Sequence, residues 1–282
     1  MTARLPNLLY IGPDKAGSTW LHEVLIRHPE VYLTPAKDLY FFDRYYDRGV
    51  DWYARQFSDA TSEHLVVGEI CQDYLFHEQA ADRIAETLHS VKLMVTLRDP
   101  AERAFSSYLY MLKQGQSPGT FRDALTTRPE LLDHGRYATG LRRYLRHFDP
   151  SLIHVAVFDD LVADPQRFID ATVQWLAVSP FELDDELMAA RLPASAPRSA
   201  ILARSARKLA DWAREHDGAR VVGAVKRSPL TQRVLYRTMQ ERPTLSGDDR
   251  ALVWEKLGPE IAEVEATFGL QLRSRWYGTP VT

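Results

Sequence analysis

The chain has 282 residues, 45% of them hydrophobic, and 35 Lys+Arg against 38 Asp+Glu for a formal net charge of -3, which suits one soluble globular domain with a sizeable core, alone or with an appendage. Cys71 is the only cysteine, which excludes an intramolecular disulfide, a thiolate zinc cluster and a CxxC redox pair and leaves a small buried hydrophobe as its default role. No run approaches the roughly 18 apolar residues of a membrane span, and MTARLPNLLYIG has no long apolar core with a cleavage site, so the default compartment is the cytoplasm.

In chain order, Leu8–Ile11 is a short apolar run ending at Gly12, followed by a loop and a helical pattern from about Thr19 to Arg27 that stops before His28-Pro29. Leu65–Val67 predicts a second strand and Val91–Leu97 a third, which stops at Arg98-Asp99-Pro100. Ile153–Phe158 predicts a further strand, followed by a helix over Pro165–Leu176. Near-continuous apolar strands separated by helices predict an α/β fold whose central, mostly parallel sheet is covered on both faces, a three-layer sandwich. The stretch 193–242 breaks this alternation and reads as a helical, basic cap on a single domain spanning 1–282. From Arg191 to Arg250 there are 13 Lys+Arg against 6 Asp+Glu, a surplus of seven positive charges (13 − 6), which solvated helical faces or a visiting anion would each explain. No nucleic-acid module pattern accompanies it, so nucleic acid is not an expected partner.

The stretch IGPDKAGSTW, Ile11–Trp20, looks like a phosphate-binding loop with its lysine displaced: GxxxxG is followed by Ser-Thr, and Lys15 lies inside the turn. A strand running into a glycine turn at a helix start aims backbone N–H groups and the positive helix end at one point, a site for an anion such as phosphate. Ser18 and Thr19 open the helix, where their hydroxyls either cap it or bind phosphate oxygens. The Walker arrangement is absent in detail and no apolar strand ends in an obvious magnesium-holding aspartate, Asp159-Asp160 being a weak candidate, which counts against a kinase.

The second constellation is RDPAERAFSSY, Arg98–Tyr108. An arginine at the C-terminal end of a strand stands where open α/β sheets bind ligands, and Ser106 follows on the next predicted helix. A guanidinium and a hydroxyl together suit a phosphate monoester. A local Arg98–Asp99 pair with Pro100 starting a helix is the bland alternative.

Together these motifs resemble the sulfotransferases that use 3′-phosphoadenosine 5′-phosphosulfate (PAPS), over roughly Leu8–Tyr277. IGPDKAGSTWL resembles the family's 5′-phosphosulfate loop, and TLRDPAERAFSSYLY its 3′-phosphate motif. KDLYFFD, Lys37–Asp43, followed by GVDWYARQF, resembles the carbohydrate and heparan sulfate branch, and TFGLQLRSRW resembles the family's C-terminal ending. The resemblance implies a P-loop NTPase-like sulfotransferase fold and in-line sulfuryl transfer that needs no metal, leaving the bisphosphate PAP. It implies that Lys15 contacts the bridging oxygen, and that Ala16, Gly17, Ser18, Thr19 and Trp20 line the 5′-phosphate. Arg98 and Ser106, with Arg198 from the APRS stretch, would hold the 3′-phosphate.

The resemblance places Asp38 where the carbohydrate branch has its glutamate base, one methylene shorter, with His22 as the next candidate for the acceptor's proton. The sequence departs from the branch at Glu69-Ile-Cys-Gln-Asp-Tyr74, where a lysine near the acceptor is missing, and in lacking a disulfide-flanked loop. These departures leave the acceptor open among a glycan, a small molecule and a natural product, through a hydroxyl or an amine. An atypical P-loop kinase and a non-catalytic adenosine-bisphosphate-binding protein are the alternatives.

Overall fold

The computed structural model describes residues 4–189, 195–197, 236–238 and 243–277. They fall into two units: residues 1–99, 136–191 and 259–282, which contain the main sheet, and residues 100–135 and 192–258.

The first unit is built on a parallel sheet of five strands in the order β2-β3-β1-β4-β5. The strands are β1 (Leu8–Gly12), β2 (Val31–Leu33), β3 (Val66–Ile70), β4 (Lys92–Leu97) and β5 (Ile153–Val157). Alternate side chains leave opposite faces of a strand. Leu8 and Tyr10 join Ile70 and Met94 in the core beneath the helices α1 (Ser18–Leu25) and α9 (Pro165–Leu176). Leu9 and Ile11, on the other face, are equally buried. Burial on both faces is why the strands read as unbroken apolar runs.

Around the sheet lie α2 (Val50–Arg55), α3 (Ala80–Thr87), α7 (Tyr137–Leu145), α8 (Phe158–Ala163), α10 (Asp185–Ala189) and α12 (Leu272–Trp276). The α9 boundaries match the sequence reading because Asp164 caps the helix, its carboxylate accepting from the Arg167 N–H, and Pro165 takes the first helical position. The β3 strand runs on past Val67 through Gly68 and Glu69. A Cβ on Gly68 would come within 2.5 Å of the Leu8 carbonyl oxygen, so glycine lets β3 and β1 approach closely. Phe158, read as strand, opens α8 instead.

The second unit contains α4 (Pro100–Lys113), α5 (Phe121–Thr127) and α6 (Glu130–Asp133). Pro100 is the first residue of α4, where its missing N–H is no loss. The fully buried Arg103 donates to the Leu131 carbonyl, and Phe105 and Tyr108 pack against Phe121. Arg122 and Arg250 pair with Asp249 and Glu102. The long α11 (Gly247–Phe268) contains Pro259, which marks the boundary between the units. Of the stretch 193–242, expected to be a helical cap, the described pieces are β6 (Ser195–Pro197) and β7 (Tyr236–Thr238), paired antiparallel. The rest of that expectation lies outside the described residues.

The C-terminal TFGLQLRSRW ending acquires a physical role in the first unit. Arg275 pairs with Asp160 at 2.5 Å, and the Trp276 indole N–H donates to Asp159 at 2.9 Å, which ties α12 to α8. Trp276→Ala removes a buried ring and a partly buried hydrogen bond, and is expected to lower the unfolding free energy by about 3–5 kcal/mol in urea denaturation, with Trp276→Phe losing less.

Candidate functional site

The strand order makes β1 and β4 neighbours whose onward connections run to opposite sides of the sheet, and such a switch point opens a crevice at the strands' C-terminal ends. The loop Pro13–Gly17 leaves β1 there. Gly12, Lys15 and Gly17 take φ values of 137°, 60° and 88°. Left-handed residues alternating with ordinary ones turn consecutive N–H groups toward one side, the geometry of an anion nest. A Cβ on Gly12 would lie 2.6 Å from the Gln72 carbonyl oxygen, so close backbone packing as well as φ demands glycine there, while one on Gly17 would lie 2.6 Å from Leu161 Cδ2 on α8, which would have to shift. Gly17 is the N-cap of α1, and among the described residues no side chain caps that helix. Its first N–H groups are thereby left for a ligand or solvent.

Arg98 follows the last residue of β4. Its Nη1 donates to the Lys15 carbonyl at 2.8 Å, and its guanidinium lies 4.7 Å above the centroid of the Phe158 ring. The Arg98 carbonyl in turn accepts from the Tyr137 hydroxyl at 2.9 Å. The sequence placed Arg98 at the sheet edge by pattern; the fold adds that it braces the loop.

Asp38 is pinned beside β3. Its N–H donates to the Ile70 carbonyl at 2.8 Å, its carboxylate accepts from the Gln72 N–H at 3.3 Å, and its φ is 61°. The residues that follow are held by an aromatic cluster. Phe41 stacks on Tyr53 with ring centroids 4.3 Å apart, and the Phe41 N–H donates to the Tyr74 hydroxyl at 2.9 Å.

Lys37 was not among the residues singled out from the sequence. Its ammonium donates to Ser18 Oγ at 2.8 Å and Thr19 Oγ1 at 3.1 Å, joining the KDLYFFD segment to the first turn of α1. Burial lowers its pKa, opposed by the nearby Asp38 carboxylate. The available signal was its position beside Asp38, in a segment read for its acid alone.

The Trp20 indole is buried and donates to the Leu187 carbonyl at 2.9 Å, so its side chain serves packing against α10 and its backbone N–H is what it can offer an anion. His22 is buried, with Nε2 2.9 Å from the Thr34 carbonyl, an acceptor; that nitrogen must carry the proton and cannot take another. Ser106 lies half-buried on α4 in the second unit. Arg198 lies outside the described residues. Asp159 and Asp160, the candidate magnesium holders, are engaged by Trp276 and Arg275.

Glu69 on β3 is fully buried beside Tyr53 and Tyr74, and neither of its carboxyl oxygens has a well-formed hydrogen bond. Desolvation pushes its pKa up from 4.5 to about 8; the Tyr74 hydroxyl pulls the other way, repulsion from Asp43 and Asp38 adds to the rise, and the Tyr53 hydroxyl opposes it least. Ile70, next to it, is 1% exposed in the core, so the position that the carbohydrate branch gives to a lysine is used here for packing.

A family model described as the sulfotransferase domain matches residues 5–189. The chain belongs to the sulfotransferase family. Over 119 residues it is 37% identical to the membrane-associated sulfotransferase kil1 of Dictyostelium discoideum, an alignment covering 40% of this chain and 25% of that one. Over 171 residues it is 32% identical to human heparan sulfate glucosamine 3-O-sulfotransferase 3B1, covering 57% and 43% of the two chains. The fold is similar to that of a sulfotransferase from Alicyclobacillus acidocaldarius, with a TM-score of 0.71 at 22% identity over 97% of this chain and 99% of that one. The chain thus spans about a quarter of the length of the first curated relatives it matches, 25% of kil1 and 23% of the human bifunctional heparan sulfate N-deacetylase/N-sulfotransferase 3.

The comparison corrects the assignment to the cytoplasm, because a relative at 37% identity is named as membrane-associated. Absence of an apolar span was a weak ground for a compartment. Among the described residues no helix is long and apolar enough to cross a membrane, and that observation does not choose a location.

The buried Glu69 predicts a pH dependence of stability whose sign follows from its raised pKa. Between its ordinary value of 4.5 and about 8 the unfolded chain ionises while the folded chain keeps the proton, so stability falls as pH rises through that window and levels off above it. The slope is at most about 1.4 kcal/mol per pH unit for one group. Denaturation curves across this range are expected to show the decline, and Glu69→Gln, which cannot ionise, is expected to flatten it.

Proposed function

We propose that this chain transfers the sulfuryl group of PAPS to a hydroxyl or amine of a carbohydrate-like acceptor, releasing PAP. The observation that carries this reading is the left-handed loop after β1, with Lys15 inside it and Arg98 bracing its base, in a member of the sulfotransferase family. The backbone N–H groups and the hydroxyls of Ser18 and Thr19 suit the 5′-phosphate oxygens. Arg98, and Ser106 by its place in the sequence motif, are proposed for the 3′-phosphate. Several relatives are named for heparan sulfate, which favours a carbohydrate over the other acceptor classes.

In the proposed reaction the acceptor oxygen or nitrogen attacks sulfur as the bond from sulfur to the bridging phosphate oxygen breaks. The electron pair leaves with the phosphate of PAP, and the acceptor's proton goes to the Asp38 carboxylate. Lys15 stabilises the charge that grows on the leaving oxygen, the point at which a fixed cation is most effective. His22 is less suited to the proton transfer, since the nitrogen on Thr34 already donates.

Adenosine 3′,5′-bisphosphate is expected to bind on the order of a hundredfold more tightly than adenosine 5′-phosphate in calorimetry, from charge-assisted contacts to the extra phosphate. Arg98→Ala should erase most of that preference. Equal affinity of the wild-type protein for the two nucleotides sinks the donor assignment.

With labelled PAPS and a panel of glycan acceptors, Lys15→Ala is expected to lower kcat about 100-fold or more. Asp38→Asn is expected to lower it about 10²- to 10⁴-fold while leaving nucleotide affinity within a few-fold of wild type. Near-normal turnover in the Asn variant would show that the base had been misassigned.

A further inference from the structure

The first turn of α1 is an unfavourable place for a cation. A helix N-terminus carries partial positive charge, and Lys15 lies in the loop just before it. Lys37 nevertheless places its ammonium on the hydroxyls of Ser18 and Thr19, at 2.8 and 3.1 Å. Both partners are neutral, and among the described residues no carboxylate forms an ion pair with it. Burial opposes the Lys37 charge and the nearby Asp38 carboxylate supports it, while its hydrogen-bond acceptors are the two neutral hydroxyl oxygens.

What the contact does to the hydroxyls is specific. A serine or threonine hydroxyl has one proton to donate and lone pairs with which to accept. An ammonium can only donate. Each hydroxyl that accepts from Lys37 therefore turns its own proton away from that nitrogen, and the contact polarises the O–H bond and strengthens it as a donor. Two residues at the mouth of the loop are in this way set as donors before any ligand arrives.

We propose that Lys37 is a positioning residue for the donor nucleotide: by occupying acceptor lone pairs of Ser18 and Thr19 it commits both hydroxyls to donate to the 5′-phosphate. The proposal rests on the donor reading above and extends it to a residue outside the loop. It also gives the KDLYFFD segment two functions, Asp38 facing the acceptor's proton and Lys37 setting the donor loop. Seating of the segment and ordering of the loop then occur together.

The test is a double-mutant cycle read by the affinity for adenosine 3′,5′-bisphosphate, without turnover. Lys37→Met keeps the length of the side chain and removes its charge. It is expected to weaken binding of the bisphosphate about 10- to 100-fold and to leave binding of adenosine 3′-phosphate, which lacks the 5′-phosphate, within about threefold. In a Ser18→Ala/Thr19→Val background the same substitution should cost less than about threefold, because the hydroxyls through which Lys37 acts are gone.

A full loss on Lys37→Met in that background would overturn the proposal by showing that the ammonium acts on the ligand directly. Unchanged bisphosphate affinity, with altered melting temperature alone, would overturn it by showing that Lys37 is only a structural tie. If the wild-type protein does not bind the bisphosphate, the donor reading itself fails. Binding by wild type with no effect of Lys37→Met fails this inference alone.

Discussion

The hydrogen bond from Arg98 to the Lys15 carbonyl is the contact on which the arrangement of the site depends. It exists because β1 and β4 are adjacent and parallel, so the ends of two distant sequence segments emerge side by side. A loop with two left-handed positions at Lys15 and Gly17 is intrinsically costly, and it needs outside restraint. Arg98 supplies that restraint from the sheet side. From the other side α8 closes on Gly17, where a methyl group would have to displace Leu161, and α12 holds α8 through Asp159 and Asp160.

Charge is distributed unevenly about this loop. Lys15, Lys37 and the start of α1 concentrate positive potential where an anion is proposed to bind. The acids nearby are managed in different ways: Asp38 is fixed by backbone bonds at the edge of β3, whereas burial keeps Glu69 protonated at neutral pH. A neutral Glu69 subtracts nothing from the field of the loop. The aromatic cluster of Phe41, Phe42, Tyr53 and Tyr74 holds the segment bearing Asp38 and Lys37, while burial raises the Glu69 pKa against the pull of the Tyr74 and Tyr53 hydroxyls.

Family membership and the details at this site point to different degrees of likeness. Residues 5–189 match the family's domain, and the loop after β1 lies within them. Next to Glu69, where the carbohydrate branch has a lysine, this chain has the buried Ile70. Backbone N–H groups can serve a phosphate whatever the side chains beside them, whereas recognition of an acceptor is made by side chains, so the two can vary independently.

The sequence by itself determined the parallel α/β class, because strands buried on both faces must be apolar at nearly every position, and it located β1, β4, β5 and α9 to within a residue or so at most ends. It also marked the loop and Arg98, since glycines at forced φ values and an arginine at a strand end are local signals. Other features are decided by contacts between residues far apart in the chain. The three-residue β2 takes its identity from pairing with β3, Lys37 meets Ser18 and Thr19 across a strand and two turns, and the Glu69 pKa rises because packing removes its carboxyl from water. Such properties belong to the packed state: hydrogen-bond partners and desolvation do not exist until the chain has folded, and tertiary structure alone could assign them.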